Sequence, residues 1–71
     1  MIATEVMIVV NGEPRQIRMN SSVFDLLLAL QFHQRRLAVE LNGEILPRHS
    51  FSITILNAND RLELVHAIGG G

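Results

Sequence analysis

Two Asn-Gly pairs, Asn11-Gly12 and Asn42-Gly43, constrain this chain more than any other feature. Between extended runs this dipeptide is the strongest short hairpin signal, because both turn positions need positive φ and these residues reach it at least cost. The first pair follows EVMIVV, Glu5 to Val10, a β-branched run that reads as a strand. It precedes Gln16-Ile17-Arg18-Met19, whose polar–apolar alternation suits a half-buried returning strand. The second pair follows Leu37 to Leu41, with Leu37, Val39 and Leu41 on one face and Ala38 and Glu40 on the other. After it, Ile45-Leu46 extends as a short strand until Pro47 interrupts it.

Between the two hairpins lies the one amphipathic helix the chain offers. Ser22-Val23-Phe24-Asp25 reads as a capping box variant, with the Ser22 hydroxyl on an early N–H and Asp25 reaching back. Val23, Leu26, Leu27 and Leu30 follow at i, i+3, i+4 and i+7, one buried stripe. Phe24, Leu28 and Phe32 widen it, which predicts a helix covered on more than one side and ending near Phe32. Beyond the second hairpin the spacing predicts a helical turn around His49 to Phe51, then an extended piece through Ile53 and Ile55. Asn57-Ala58-Asn59-Asp60 is turn chemistry, and Arg61 to His66 alternates as a last strand with Leu62 and Leu64 inward.

Strand, strand, helix, strand, short strand, strand is an α+β order. It predicts a mixed sheet with one main helix packed across one face, the β-grasp arrangement of ubiquitin. Seventy-one residues hold one domain, since chains this small bury only about 60% of their unfolded surface. The expected division is a β-grasp domain over 1–66 and a flexible tail over 67–71. Without cysteine, stability rests on packing, and thiolate chemistry is excluded from the chain's own side chains. A net charge of −1, with six scattered arginines and no lysine, argues against nucleic acid as a partner. No stretch approaches the roughly 20 apolar residues of a membrane helix, and no signal peptide opens the chain. A cytoplasmic protein with no membrane contact is the expectation.

The chain closes on Ala67-Ile68-Gly69-Gly70-Gly71. Three glycines add nothing to a core and cost the most backbone freedom to order. Their use lies elsewhere, since a tail without Cβ atoms threads a narrow enzyme cleft and presents its terminal carboxylate. Adenylation would turn that carboxylate into an electrophile, and a sulfur donor would convert it to a thiocarboxylate, a better nucleophile than the oxygen it replaced.

Val39-Glu40-Leu41-Asn42-Gly43-Glu44-Ile45-Leu46-Pro47-Arg48 resembles the ThiS family, in which an apolar strand leads to Asn-Gly-Glu, an apolar pair and Pro-Arg. Asn59 to His66 resembles that family's last turn and strand, Ser22 to Leu27 its helix start, and Gly69-Gly70-Gly71 its terminus. Two departures stand out. Asn59-Asp60 replaces the family's usual Gly-Asp, which asparagine's tolerance of positive φ should accommodate. A third glycine is present, which either lies upstream of the family's pair or is trimmed before activation; we favour the first, since Gly70-Gly71 already satisfies the pattern. The resemblance implies a sulfur carrier for the thiazole ring of thiamine, a co-substrate that is not an enzyme and has no cofactor of its own. It implies Gly71 as the modified residue, with Ile68, Gly69 and Gly70 threading into partner enzymes. The implied partners are a ThiF-like adenylating enzyme, a ThiG-like thiazole synthase and a cysteine desulfurase system as sulfur source.

Two related readings share the tail. The small subunit of molybdopterin synthase has the same fold and chemistry, but a proline pair before its glycines where this chain has Val65-His66-Ala67-Ile68. A ubiquitin-like modifier would join its targets through an amide. An enzyme is disfavoured: His33, His49 and His66 lack metal-ligand spacing and read as solvated, and Asp25 and Asp60 are explained by capping and turn formation. The expected docking surface is the sheet face away from the helix: Met7, Val9, Ala38, Glu40, Arg61, Glu63 and Val65, an apolar centre with a charged rim.

Overall fold

The computed structural model describes residues 4–66. Five strands, β1 (Glu5–Val10), β2 (Glu13–Arg18), β3 (Leu37–Leu41), β4 (Glu44–Leu46) and β5 (Arg61–His66), form one sheet in the order β2-β1-β5-β3-β4. The helix α1 (Val23–Ala29) lies between β2 and β3 in the chain, and a 3₁₀ turn (Arg48–Ser50) follows β4. Both Asn-Gly pairs make the expected two-residue turns, with φ of 51° and 83° at Asn11-Gly12 and 53° and 88° at Asn42-Gly43. Each closes an antiparallel pair, β1 with β2 and β3 with β4. The last strand then enters between the hairpins, parallel to β1 and antiparallel to β3.

The core lies between the helix and one sheet face. Val23, Leu26 and Leu27 of α1 meet Ile8, Ile17, Leu37, Val39, Leu62 and Leu64 from the strands, with Phe51 and Leu56 closing the side. Leu30, expected in the stripe, is half-buried against this cluster. The helix is covered on one side only: Phe24 and Leu28 are exposed. It also stops earlier than its apolar spacing suggests. Gln31 takes φ 63°, its N–H donates to the Leu28 carbonyl, and the Phe32 N–H donates to that of Leu27. This is a Schellman termination, built here on glutamine instead of glycine.

The start of α1 is as expected. Asp25 N–H donates to the Ser22 hydroxyl at 3.0 Å, and the Ser22 N–H donates to the Asp25 carboxylate at 2.9 Å. The remaining early donors reach across the chain, Val23 N–H to the Thr54 carbonyl and Phe24 N–H to that of Phe51. A helix start needs such partners for its free N–H groups, and the irregular segment 51–56 supplies them. Those bonds set its register, so Phe51 and Leu56 face the core. Ile53 and Ile55, on the piece expected to be extended, are exposed, Ile53 by 74%.

Leu27 is 2% exposed at the middle of the core. Leu27→Ala is expected to lower stability by about 2–5 kcal/mol, the range for deleting a buried leucine side chain. Chemical denaturation of the two proteins measures this, and an unshifted midpoint contradicts the assignment of the core.

Candidate functional site

The sheet face away from α1 follows from strand parity and register. Val9 lies opposite Pro14 and beside Arg61, Glu63 opposite Glu40, Ala38 opposite Val65, and Glu40 opposite Ile45. Met7, Val9, Ala38, Glu40, Arg61, Glu63 and Val65 therefore share the face on which they were expected. Met7 is 44% and Val65 54% exposed.

Their arrangement differs from the expected apolar centre with a charged rim. The central strand β5 carries Arg61 and Glu63, and Glu63 meets Glu40. The apolar residues divide into Met7 and Val9 beside Pro14 at one end, and Val65 with Ala38 at the other. Between the turns of Gly12 and Gly43 lies a hollow of about 380 Å³ lined by Val9, Glu40, Arg61 and Glu63. Glutamates directly opposite one another on a sheet repel, so this hollow favours a cation between them. Ile45, 64% exposed, adds an apolar flank that the sequence reading overlooked. The signal for it was present, since a two-residue turn at Asn42-Gly43 places Glu40 opposite Ile45.

Both turn asparagines also hold β5. The Leu64 N–H donates to the Asn11 side-chain oxygen at 2.8 Å, and the Arg61 N–H donates to that of Asn42 at 2.9 Å. Asn42 in turn donates to the Asp60 carboxylate at 3.1 Å, whose other oxygen accepts the Asn57 N–H at 2.7 Å. Asn59, where a glycine was the usual residue, takes φ 72° and the turn survives. These clips anchor the strand that leads to the terminal segment. Ile68, Gly69, Gly70 and Gly71 themselves lie outside the described residues.

The histidines are not brought together. Among the described residues no three His, Cys, Asp or Glu side chains cluster as metal ligands would. His49 and His66 are exposed, and the His66 ring meets Phe32 edge-on at 5.0 Å. His33, expected to be solvated, is half-buried, and its Nδ1 is buried without a hydrogen-bond partner.

A mixed five-stranded sheet with one helix across one face and a last strand at its centre defines a ubiquitin-like β-grasp domain. The chain belongs to the ThiS family, whose sequence profile matches residues 8–71. It is 36% identical to the thiamine biosynthesis protein ThiS of Geobacter metallireducens, whose crystal structure superposes with a TM-score of 0.81, covering 93% of this chain and 100% of that one. It is 42% identical over 71 residues to the uncharacterized protein ycf40 of Pyropia yezoensis, covering 100% of each. It is also 42% identical over 64 residues to a thiazole synthase of Paramagnetospirillum magneticum, covering 90% of this chain and 20% of that protein.

If the Asn11 side chain holds β5, Asn11→Gly keeps the turn but leaves the Leu64 N–H without its acceptor in a part-buried site. The expected loss is about 1–3 kcal/mol. Asn42→Gly acts at an exposed bond, where water substitutes, and should cost about 0.5–1.5 kcal/mol. Equal, negligible losses in denaturant titrations would show that the turns alone matter.

Proposed function

We propose that this chain is a sulfur carrier for thiamine biosynthesis and that the Gly71 carboxylate is its working group. The observation carrying this reading is the family match itself, which runs through residue 71 and so takes in all three glycines. Similarity to part of a thiazole synthase supports an enzyme of that kind as the sulfur acceptor. In the reaction, a Gly71 carboxylate oxygen attacks the α-phosphate of ATP on a ThiF-like partner, and pyrophosphate leaves. The terminal sulfur of a persulfide supplied by a cysteine desulfurase system then attacks the acyl carbon, and AMP departs. A thiol reductant cleaves the acyl disulfide so formed, releasing the donor thiol and leaving the terminus a thiocarboxylate. ATP belongs to the partner, and the carrier acts as co-substrate.

Residues 67–71 are assigned to the tail in this reading, with Ile68, Gly69 and Gly70 lying in the partner's cleft. The open sheet face docks. A partner that seats an apolar group on Val65 and Ala38 and sets a cation over Glu40 and Glu63 would relieve the like-charge pair while burying the exposed valine. Val65→Asp places an unpaired charge in that contact and adds to the acidic pair. It should weaken association with the adenylating enzyme by about tenfold or more, roughly 1.4 kcal/mol, with an unchanged melting temperature. Undiminished binding, measured by calorimetry, removes this face as the docking site.

The chemistry has its own test. Incubation with ATP, the adenylating enzyme and a sulfur donor should exchange one oxygen for one sulfur in the intact mass. Deleting Gly71 leaves a double-glycine end that is shorter by about 3.3–3.6 Å of reach. Activation should fall steeply, because reacting groups tolerate little misplacement. Full activity of the shortened protein would make Gly70 the natural end. Amide adducts on other proteins, without sulfur uptake, would replace the carrier reading with that of a modifier.

A further inference from the structure

On the helix side, away from the open sheet face, a cavity of about 300 Å³ is walled by Phe24 of α1, His33 and Arg35 of the following loop, and Arg48, His49 and Phe51 of the 3₁₀ turn and its end. Two of the chain's six arginines and two of its three histidines meet here, although the whole chain carries a net charge of −1 with histidine neutral. Among the described residues no acidic side chain lines it. Asp25, the neighbour of Phe24 in sequence, has its carboxylate engaged by the Ser22 N–H. Like charges gathered without a counter-ion raise one another's energy, and an anion reverses the sign of that term.

A second observation is independent of the charge. His33 Nδ1 is the buried side-chain atom without a hydrogen-bond partner among the described residues, and a buried polar group left so costs free energy. A third concerns the walls. The Phe24 ring meets His33 edge-on at 6.3 Å and stays partly exposed, and Phe51 closes the inner side. The Arg35 guanidinium carbon lies over Phe32, 5.4 Å from the ring centre. A guanidinium beside a ring keeps N–H donors available to an oxyanion. Cationic forks beside exposed aromatic surface, in a volume near the small end of the range for small-molecule sites, describe a charged head and an apolar body.

We propose that this cavity binds a small organic phosphate monoester, its phosphoryl group held by Arg35, Arg48 and the two histidines and its apolar part against Phe24. A dianionic phosphoryl group meets the demand of two guanidinium groups where a single carboxylate meets half of it. The cavity lies on the helix side of the sheet, and none of its lining residues belongs to the proposed docking face.

The test is titration of the isotope-labelled full chain with phenyl phosphate, followed by amide chemical shifts. Saturable shifts at Phe24, His33, Arg35 and Arg48 to Ser52 are expected, with affinity about tenfold or more above that of inorganic phosphate or benzoate. Arg48→Gln, at an exposed side chain, should reduce that affinity by about tenfold with an unchanged melt, while Arg15→Gln on β2 leaves it unaltered. Shifts that fail to saturate by roughly 10 mM, or that spread equally to Arg15 and Arg18, would overturn the site. Benzoate binding as tightly as phenyl phosphate would overturn the phosphate assignment. A phosphotyrosine peptide binding more than about tenfold tighter than phenyl phosphate would overturn the small-molecule assignment in favour of a partner segment.

Discussion

The sheet depends on how its last strand is held at its centre. The N-terminal hairpin joins the rest of the sheet only through β1 and β5. Their parallel register pairs Val9 with Arg61 and Val10 with Leu62, and backbone bonds from the Asn59 N–H to the Met7 carbonyl and from the Asn11 N–H to the Leu62 carbonyl extend it at each end. The junction is short for parallel strands, whose slanted bonds are slightly weaker than antiparallel ones. The Asn11 amide lengthens it by taking the Leu64 N–H as another strand residue would. Across β5, Asn42 does the same for the Arg61 N–H, while its backbone N–H donates to the Arg61 carbonyl. Glycine at either position would make the turn as well, but would lose the side-chain bond to β5. Turn chemistry and tertiary closure are thus carried by the same two residues.

A similar economy holds the helix. Its first N–H groups bond to Thr54, Phe51 and Ser22, so the stretch between the 3₁₀ turn and β5 is organised by the needs of a helix start some 30 residues earlier in the chain. This explains which parts of the fold were legible in the sequence. The hairpins, the capping box and the alternating β5 each depend on neighbours within a few residues, and the residues there declare themselves. The inward residues of 51–56 are chosen by carbonyls meeting a distant helix, so Phe51 and Leu56 are buried and Ile53 and Ile55 exposed, a choice no local spacing announces. The helix end was equally hidden, because Gln31 adopts a backbone conformation usually signalled by glycine.

The proposed docking face was legible as a set of residues, because strand parity places them, but not as a pattern. Parity cannot say that Arg61 and Glu63 stand at the middle of the sheet. That follows from β5 entering between β1 and β3, a pairing of the chain's last strand with its first. The cavity on the other side was less visible still. His33 and Arg35 come from the loop after α1, and Arg48 and His49 from the turn after β4. They are separated by the whole β3–β4 hairpin and meet only because that hairpin folds back along the sheet.

The position of β5 also bears on the proposed chemistry. Val65 lies on the open face, and Gly71 is the sixth residue beyond it. A fully extended chain of that length spans at most about 20–22 Å. A partner that grips Val65 and Glu63 therefore bounds how far the carboxylate can lie from the contact, and a cleft of matching depth turns that bound into selection. Glycine suits such a measured reach because a narrow cleft meets no Cβ along it. Docking on the strand that leads directly into the tail makes the contact surface and the reacting atom parts of one continuous segment. A partner recognising another face would have to find the same atom through intervening structure. In the proposed docking, the charged centre beside Val65 would set orientation, and the reach of the chain beyond it would set distance.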